Sequence, residues 1–121
     1  MHITITGVHL EITEAIRDYA LEKMESLEKY IPRDDSSAHV QLELSKTTQH
    51  HSNGAVFQAE AVVHMRGSDF TAKSTQDDLY KAIDLLKDML TRELATHKAK
   101  ERSIVRRGAY KVKQLLKRLK N

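Results

Sequence analysis

The sequence has no cysteine and no tryptophan, one proline and four glycines in 121 residues. Without cysteine there is neither a disulfide framework nor a thiolate metal site. No stretch approaches the ~18–20 consecutive apolar residues that span a bilayer. The opening MHITITGVHLEIT lacks a basic n-region and a long apolar core, so no signal peptide is expected. No glycine-rich phosphate loop and no activated-nucleophile motif is visible. Acidic residues are missing from one end. Residues 98–121 hold ten Lys/Arg against the single Glu101, a balance of +9, whereas residues 1–97 hold ten Lys/Arg and sixteen Asp/Glu, a balance of −6. The overall +3 hides this asymmetry. A basic terminal segment points to a polyanionic partner.

What is present fits one soluble, cytoplasmic domain, with 40% hydrophobic and 31% charged residues. His2-Ile3-Thr4-Ile5-Thr6 alternates apolar and polar residues and reads as a strand ending at Gly7. Thr13 is placed to cap a helix over about residues 14–30, with Glu14 favoured by the helix dipole. Its apolar face is Ile16, Ala20, Met24, Leu27 and Ile31, and Pro32 is the stop. Strand alternation returns at Val40, Leu42 and Leu44. Residues 47–54 form a connector whose Asn53-Gly54 is a turn signal. Phe57, Ala59, Ala61, Val63 and Met65 define a longer strand, residues 66–69 a tight turn, and residues 70–73 a short returning strand. These three strands are expected to form an antiparallel meander, and the small Ala59 and Ala61 let helices lie close to it.

Ser74 or Thr75 is the expected cap of a second helix, with Asp77 and Asp78 in its first turn. Its stripe is the cleanest in the chain. At ~100° per residue, Leu79, Ile83, Leu86, Leu90, Leu94 and His97 fall within about 80° of arc. Each helix has a single apolar stripe, so the fold class is α+β: a β-α-β-β-β-α two-layer sandwich with both helices on one face of a four-stranded sheet. The link from the first strand through a helix to the second permits a parallel crossover. Residues 1–102 form this domain and residues 103–121 a basic amphipathic extension. Within the extension, Val112, Leu115, Leu116 and Leu119 recur at helical spacing, and a helix of about twelve residues is marginal alone in water, so ordering on a partner or on the body is expected.

Seven histidines raise a metal reading. His50-His51 are adjacent in a turn-rich segment and lack the i, i+4 geometry of a helical ligand pair. His2, His39 and His64 fall on outer strand faces with no carboxylate-rich ligand set nearby, and His97 completes the second helix's core stripe. Asp77-Asp78 is accounted for by helix-start electrostatics. An enzyme, a bound metal and a cofactor are therefore not expected. On the second helix, Lys87, Lys98 and Arg102 gather on one flank, while Arg92 lies nearly opposite the core stripe. On the first, Lys23 falls beside Tyr19 and Tyr30, its stem able to lie along apolar surface with the ammonium exposed.

The segments LEITEAIRDYALEKMESLEKY, HVQLELSK and DDLYKAIDLLKDMLTREL followed by His97-Lys98 resemble the ribosome hibernation-promoting factor and ribosome-associated inhibitor family, in the same element order over about residues 1–102. The resemblance implies a fold similar to a double-stranded-RNA-binding domain with an added first strand. It also implies binding to the small ribosomal subunit and its ribosomal RNA, where messenger RNA and transfer RNAs meet it, and silencing of translation by occlusion under slow growth. By matching position it implies RNA contact by Lys23 and Lys29 on the first helix and by Arg92, Lys98 and Lys100 on the second. Lys87 and Arg102 join them from the helical projection, and Arg106 and Arg107 open the basic extension. The chain departs from the family after about Arg102. A monomer when free is expected, with no membrane and no small-molecule substrate. The competing readings are a general double-stranded-RNA-binding module and a protein-interaction module.

Overall fold

The computed structural model describes residues 1–48 and 55–120. Four strands, β1 (His2–Val8), β2 (His39–Thr48), β3 (Ala55–Met65) and β4 (Ser68–Gln76), form one sheet in the order β1-β2-β3-β4. β1 runs parallel to β2, with Ile3 opposite Val40 and Ile5 opposite Leu42, while β2, β3 and β4 make the expected antiparallel meander. The parallel step is bridged by α1 (Glu14–Glu25), and α2 (Leu79–Lys120) follows the last strand. This is the β-α-β-β-β-α architecture read from the sequence. The Asn53-Gly54 turn and the His50-His51 pair lie outside the described residues.

The core sits between the sheet and the helices. Val40, Leu42 and Leu44 of β2, with Ala59, Ala61 and Val63 of β3, face Ala20, Met24 and Leu27 from the α1 side and Ile83, Leu86, Leu90 and Leu94 from α2, all at most 1% exposed. Ala59 and Ala61 are thus covered as expected. On the outer face His2, His39, His64 and Asp69 line up across all four strands. His39 and His64 stack with ring centroids 4.3 Å apart, and His64 Nδ1 lies 3.0 Å from Asp69 Oδ1. Among the described residues no group of three or more ligating side chains is placed to hold a metal.

Two close approaches shape the connections. A Cβ on Gly7 would stand 2.3 Å from the Leu10 carbonyl oxygen, so only glycine lets the chain fold back tightly before α1. Gly67 has φ +77° in the two-residue turn between β3 and β4, a conformation that glycine takes without steric cost. The loop before β2 is pinned by buried Asp35, whose carboxylate accepts from the Ser37 hydroxyl (2.5 Å), the Ser37 amide (3.1 Å) and the Arg66 amide (2.6 Å). The Ser37 and Arg66 hydrogen bonds stabilise the carboxylate and hold its pKa below the ordinary carboxylate range.

Three boundaries differ from the sequence reading by more than two residues. The first helix stops at Glu25 instead of running to about residue 30: the Ser26 hydroxyl bonds back to the Lys23 carbonyl (2.5 Å), and the chain tightens into a 3-10 turn at Glu28–Tyr30. Its i→i−3 bonds, Tyr30 to Leu27 and Ile31 to Glu28, are both 3.0 Å. Ser74 and Thr75 do not cap α2. They pair with Ala59 and Gln58 in a β4 longer than expected, and the cap is Asp78, which accepts from the amides of Tyr80 (2.8 Å) and Lys81 (3.2 Å). Residues 109–120 are not a short helix of their own. They are the last part of α2, whose earlier turns have already met the cost of nucleation.

Candidate nucleic-acid interface

The interface begins where α1 and α2 touch. Tyr19 donates its hydroxyl to Asp84 Oδ1 (2.5 Å) and packs edge-on against Tyr80 with centroids 4.8 Å apart. Lys23 Nζ is 3.6 Å from the same Asp84 oxygen and 5.2 Å above the Tyr19 ring, so its stem follows apolar surface as the sequence indicates. The hydrogen bond to Asp84, followed by desolvation and the carboxylate's charge, pushes the Tyr19 hydroxyl up to about 12. Lys23 is therefore the candidate whose charge already has a partner inside the protein.

Further along, α2 passes the 3-10 turn. Lys98 Nζ donates to the Lys29 carbonyl oxygen (2.9 Å), placing a cation against the end of that turn, where unpaired carbonyls gather. An ammonium has three donors, so two remain for another acceptor. Beside this tie lies a groove of about 750 Å³ between residues 28–33 and residues 98–106. Lys29, Arg33, Lys98, Arg102 and Arg106 line it, against two acids, Glu28 and Glu101. Glu101 is itself occupied 3.1 Å from His97 Nε2, and the Lys29 ammonium sits 5.2 Å over the Tyr30 ring.

The remaining candidates separate. Arg92 and Lys100 border a second, smaller groove of about 330 Å³ on the β4 side, with Phe70 and His97, whose rings meet edge-on at 5.1 Å. Arg107 falls on that flank beyond it, on a helical projection at ~100° per residue. Lys87 is half-buried on the α1 side and borders neither groove. Among the described residues Lys87, Arg92, Lys100, Arg102, Arg106 and Arg107 have no carboxylate within ion-pairing distance. Cations without internal partners retain their full charge for an external anion. The sequence reading missed Arg33, which lies between the first helix and the second strand. Its only local signal is a base directly after the helix-stopping proline, and the approach to α2 that gives it meaning is tertiary.

Past the groove, beyond Arg106, α2 leaves the body. Ile104, Val105, Val112, Leu115, Leu116 and Leu119 are 56–82% exposed. On the projection they span ~120° and overlap the azimuth of the buried stripe, so the face that covers the sheet continues past its edge uncovered. The bases occupy the rest of the circumference. The whole helix, 42 residues long, extends about 63 Å at 1.5 Å per residue. No helix among the described residues is long and apolar enough to cross a membrane.

A helix-covered sheet with a row of unpaired cations, a cationic groove and no enclosed cluster of reactive groups among the described residues defines an electrostatic binding module. The comparisons give it a family. Residues 3–102 match the model described as "Sigma 54 modulation protein / S30EA ribosomal protein", and the chain belongs to that family. It is 37% identical over 101 residues to a ribosome hibernation promoting factor of Azotobacter vinelandii, covering 84% of this chain and 86% of that protein. The fold matches the N-terminal domain of Protein Y from Thermus thermophilus, with a TM-score of 0.66, 32% identity and coverage of 78% and 96% of the two chains. It also matches a ribosomal subunit interface protein from Coxiella burnetii, with a TM-score of 0.64, 28% identity and coverage of 82% and 99%. These names describe ribosome factors, not enzymes. The family match ends at residue 102, so the projecting half of α2 lies outside it.

Proposed function

We propose that this protein binds the small ribosomal subunit in the channel where messenger RNA and transfer RNAs meet it, and keeps ribosomes idle by occupying that space. The observation that carries the reading is the unpaired cation set on α2 and the 3-10 turn, displayed on a scaffold shared with a ribosome hibernation promoting factor and a ribosomal subunit interface protein. Lys29, Arg92, Lys98, Lys100, Arg102 and Arg106 contact ribosomal RNA backbone, and Lys23, Lys87 and Arg107 add to the field around them. Contacts of this kind supply affinity and orientation without reading base sequence, which suits recognition of one structured cavity by shape. The basic extension, residues 103–121, follows ribosomal RNA out of the channel.

Co-sedimentation with purified small subunits tests the proposal. Retention at low salt, displacement by messenger RNA with initiator transfer RNA, and resistance to excess duplex RNA are the expected results. Displacement by duplex RNA alone would instead indicate a general double-stranded-RNA binder. The variant carrying Arg92→Glu, Lys100→Glu and Arg102→Glu should lose retention and translation inhibition. Lys98 stays in place there because it ties α2 to the 3-10 turn.

A further inference from the structure

The groove between the 3-10 turn and α2 is more than a patch of charge. Its rim is cationic, but its walls include Tyr30, Pro32 and Val105, and Val105 is 69% exposed. An aliphatic side chain left in water opposite a tyrosine and a proline gains nothing from a phosphate. Its volume of about 750 Å³ falls within the usual ~300–1,000 Å³ of a ligand cleft. Three of the five cations are arginines, whose planar guanidinium groups both pair with phosphate oxygens and stack on bases. Arg102, Arg106, Lys113 and Lys117 then share one flank of α2 within ~60° of arc, a row leading from the groove along the projecting helix.

We infer that this groove receives an unpaired RNA nucleotide, its base against Tyr30, Pro32 and Val105 and its phosphate between Arg33 and Arg102, while the strand continues along Arg106, Lys113 and Lys117. The inference rests on the proposal that the partner is RNA and adds which form of RNA this surface takes. A continuous A-form duplex stacks its bases inside and offers only phosphates and the sugar-lined minor groove to a convex protein surface. It satisfies the rim and leaves the apolar wall uncovered. An acidic peptide also satisfies the rim but brings no flat apolar face with each charge. A splayed nucleotide brings both at once, as in other single-strand sites that combine a basic track with base stacking.

The test uses the full chain and labelled unstructured RNA of about twenty nucleotides, enough to span such a site, against a blunt, GC-rich duplex of about ten base pairs with nearly the same number of phosphates. Fluorescence anisotropy should show the single strand binding roughly tenfold more tightly, a difference within the range that one stacked base contributes. Val105→Asn, neutral and on an exposed position, should remove most of that preference while leaving duplex affinity and salt dependence unchanged. Arg33→Gln should lower the single-strand salt slope by about 0.7, one phosphate. Equal affinity for the two RNAs, or a Val105→Asn protein with the wild-type preference, overturns the inference. So does competition by poly-glutamate as effective per charge as the oligonucleotide. Sedimentation with small subunits runs in parallel: retention without single-strand preference refutes this inference alone, whereas failure of retention refutes the ribosomal assignment.

Discussion

Ending the chain after Arg102 separates the body from the projecting part of α2. The cut should leave the fold intact. The buried core residues lie at or before Leu94, and the contacts of Lys98 with Lys29 and of His97 with Glu101 are retained. Loss of a solvent-exposed helical segment should shift stability within about 0.5 kcal/mol. Binding should change far more. Seven bases are removed: Arg106, Arg107, Lys111, Lys113, Lys117, Arg118 and Lys120. They lie on two flanks of the helix, so an RNA surface along the outer face reaches about five of them, and each phosphate neutralised contributes about 0.9 to the slope of log K against log[salt]. The full chain should therefore show a slope steeper by about 4–5. Over the fourfold rise from about 50 to 200 mM salt, it should lose about 500-fold more affinity than the shortened chain. Quantitative co-sedimentation with small subunits at four or more salt concentrations measures both slopes. Equal slopes would refute the idea that the extension lies on RNA and leave its charge without a partner on the ribosome.

Leu90→Ala, at a fully buried position, should cost roughly 2–5 kcal/mol in denaturant unfolding, whereas Leu90→Met should cost less than about 1.5. Asp78→Ala removes the acceptor for two amides at the start of α2 and should cost about 1 kcal/mol, read as an earlier thermal loss of helical circular dichroism, with Asp78→Ser recovering most of it. The Tyr19 hydroxyl, raised to about 12, should ionise at higher pH than an ordinary tyrosine in an ultraviolet titration, and Asp84→Asn should bring it back towards 10. Because the folded state holds this proton more tightly, its stabilisation is complete below pH 10 and fades as the pH climbs through about 12.

The layered fold was legible because its signals are periodic. Alternation over residues 2–6 and the spacing of Leu79, Ile83, Leu86, Leu90 and Leu94 each specify one inward face, and the structure half-buries the first and fully buries the second. The misplaced boundaries were set by non-local contacts. Ser74 and Thr75 have good capping side chains, yet the ladder with Ala59 and Gln58 draws them into β4 and passes the cap to Asp78. Leu27 and Ile31 fit a continuous helical stripe, but the 3-10 turn achieves the same burial with fewer residues per turn. Four of the five groove cations were already candidates, Lys29 and Lys98 through the family resemblance, Arg102 through the helical projection and Arg106 through the basic extension. The sequence could not identify Arg33, because the chain's reversal after Pro32 is visible only once α2 is in place.

The division of the cations has a physical consequence. The groove on the α1 side and the smaller one beside Phe70 lie on opposite flanks of a single helix, so no flat surface touches Lys29 and Lys100 together. A partner that engages both must wrap around α2, as the walls of a channel do and as the side of an isolated duplex does not. The rigid continuation of α2 strengthens this preference. About 63 Å of uninterrupted helix keeps the charges in fixed register, so binding loses little conformational entropy but tolerates little misfit. Affinity from charge alone would extend to any nucleic acid. Affinity that also requires two flanks and a projecting rod to be met together is confined to a cavity of matching shape, and that restriction lets a protein without base-specific contacts select one structured site.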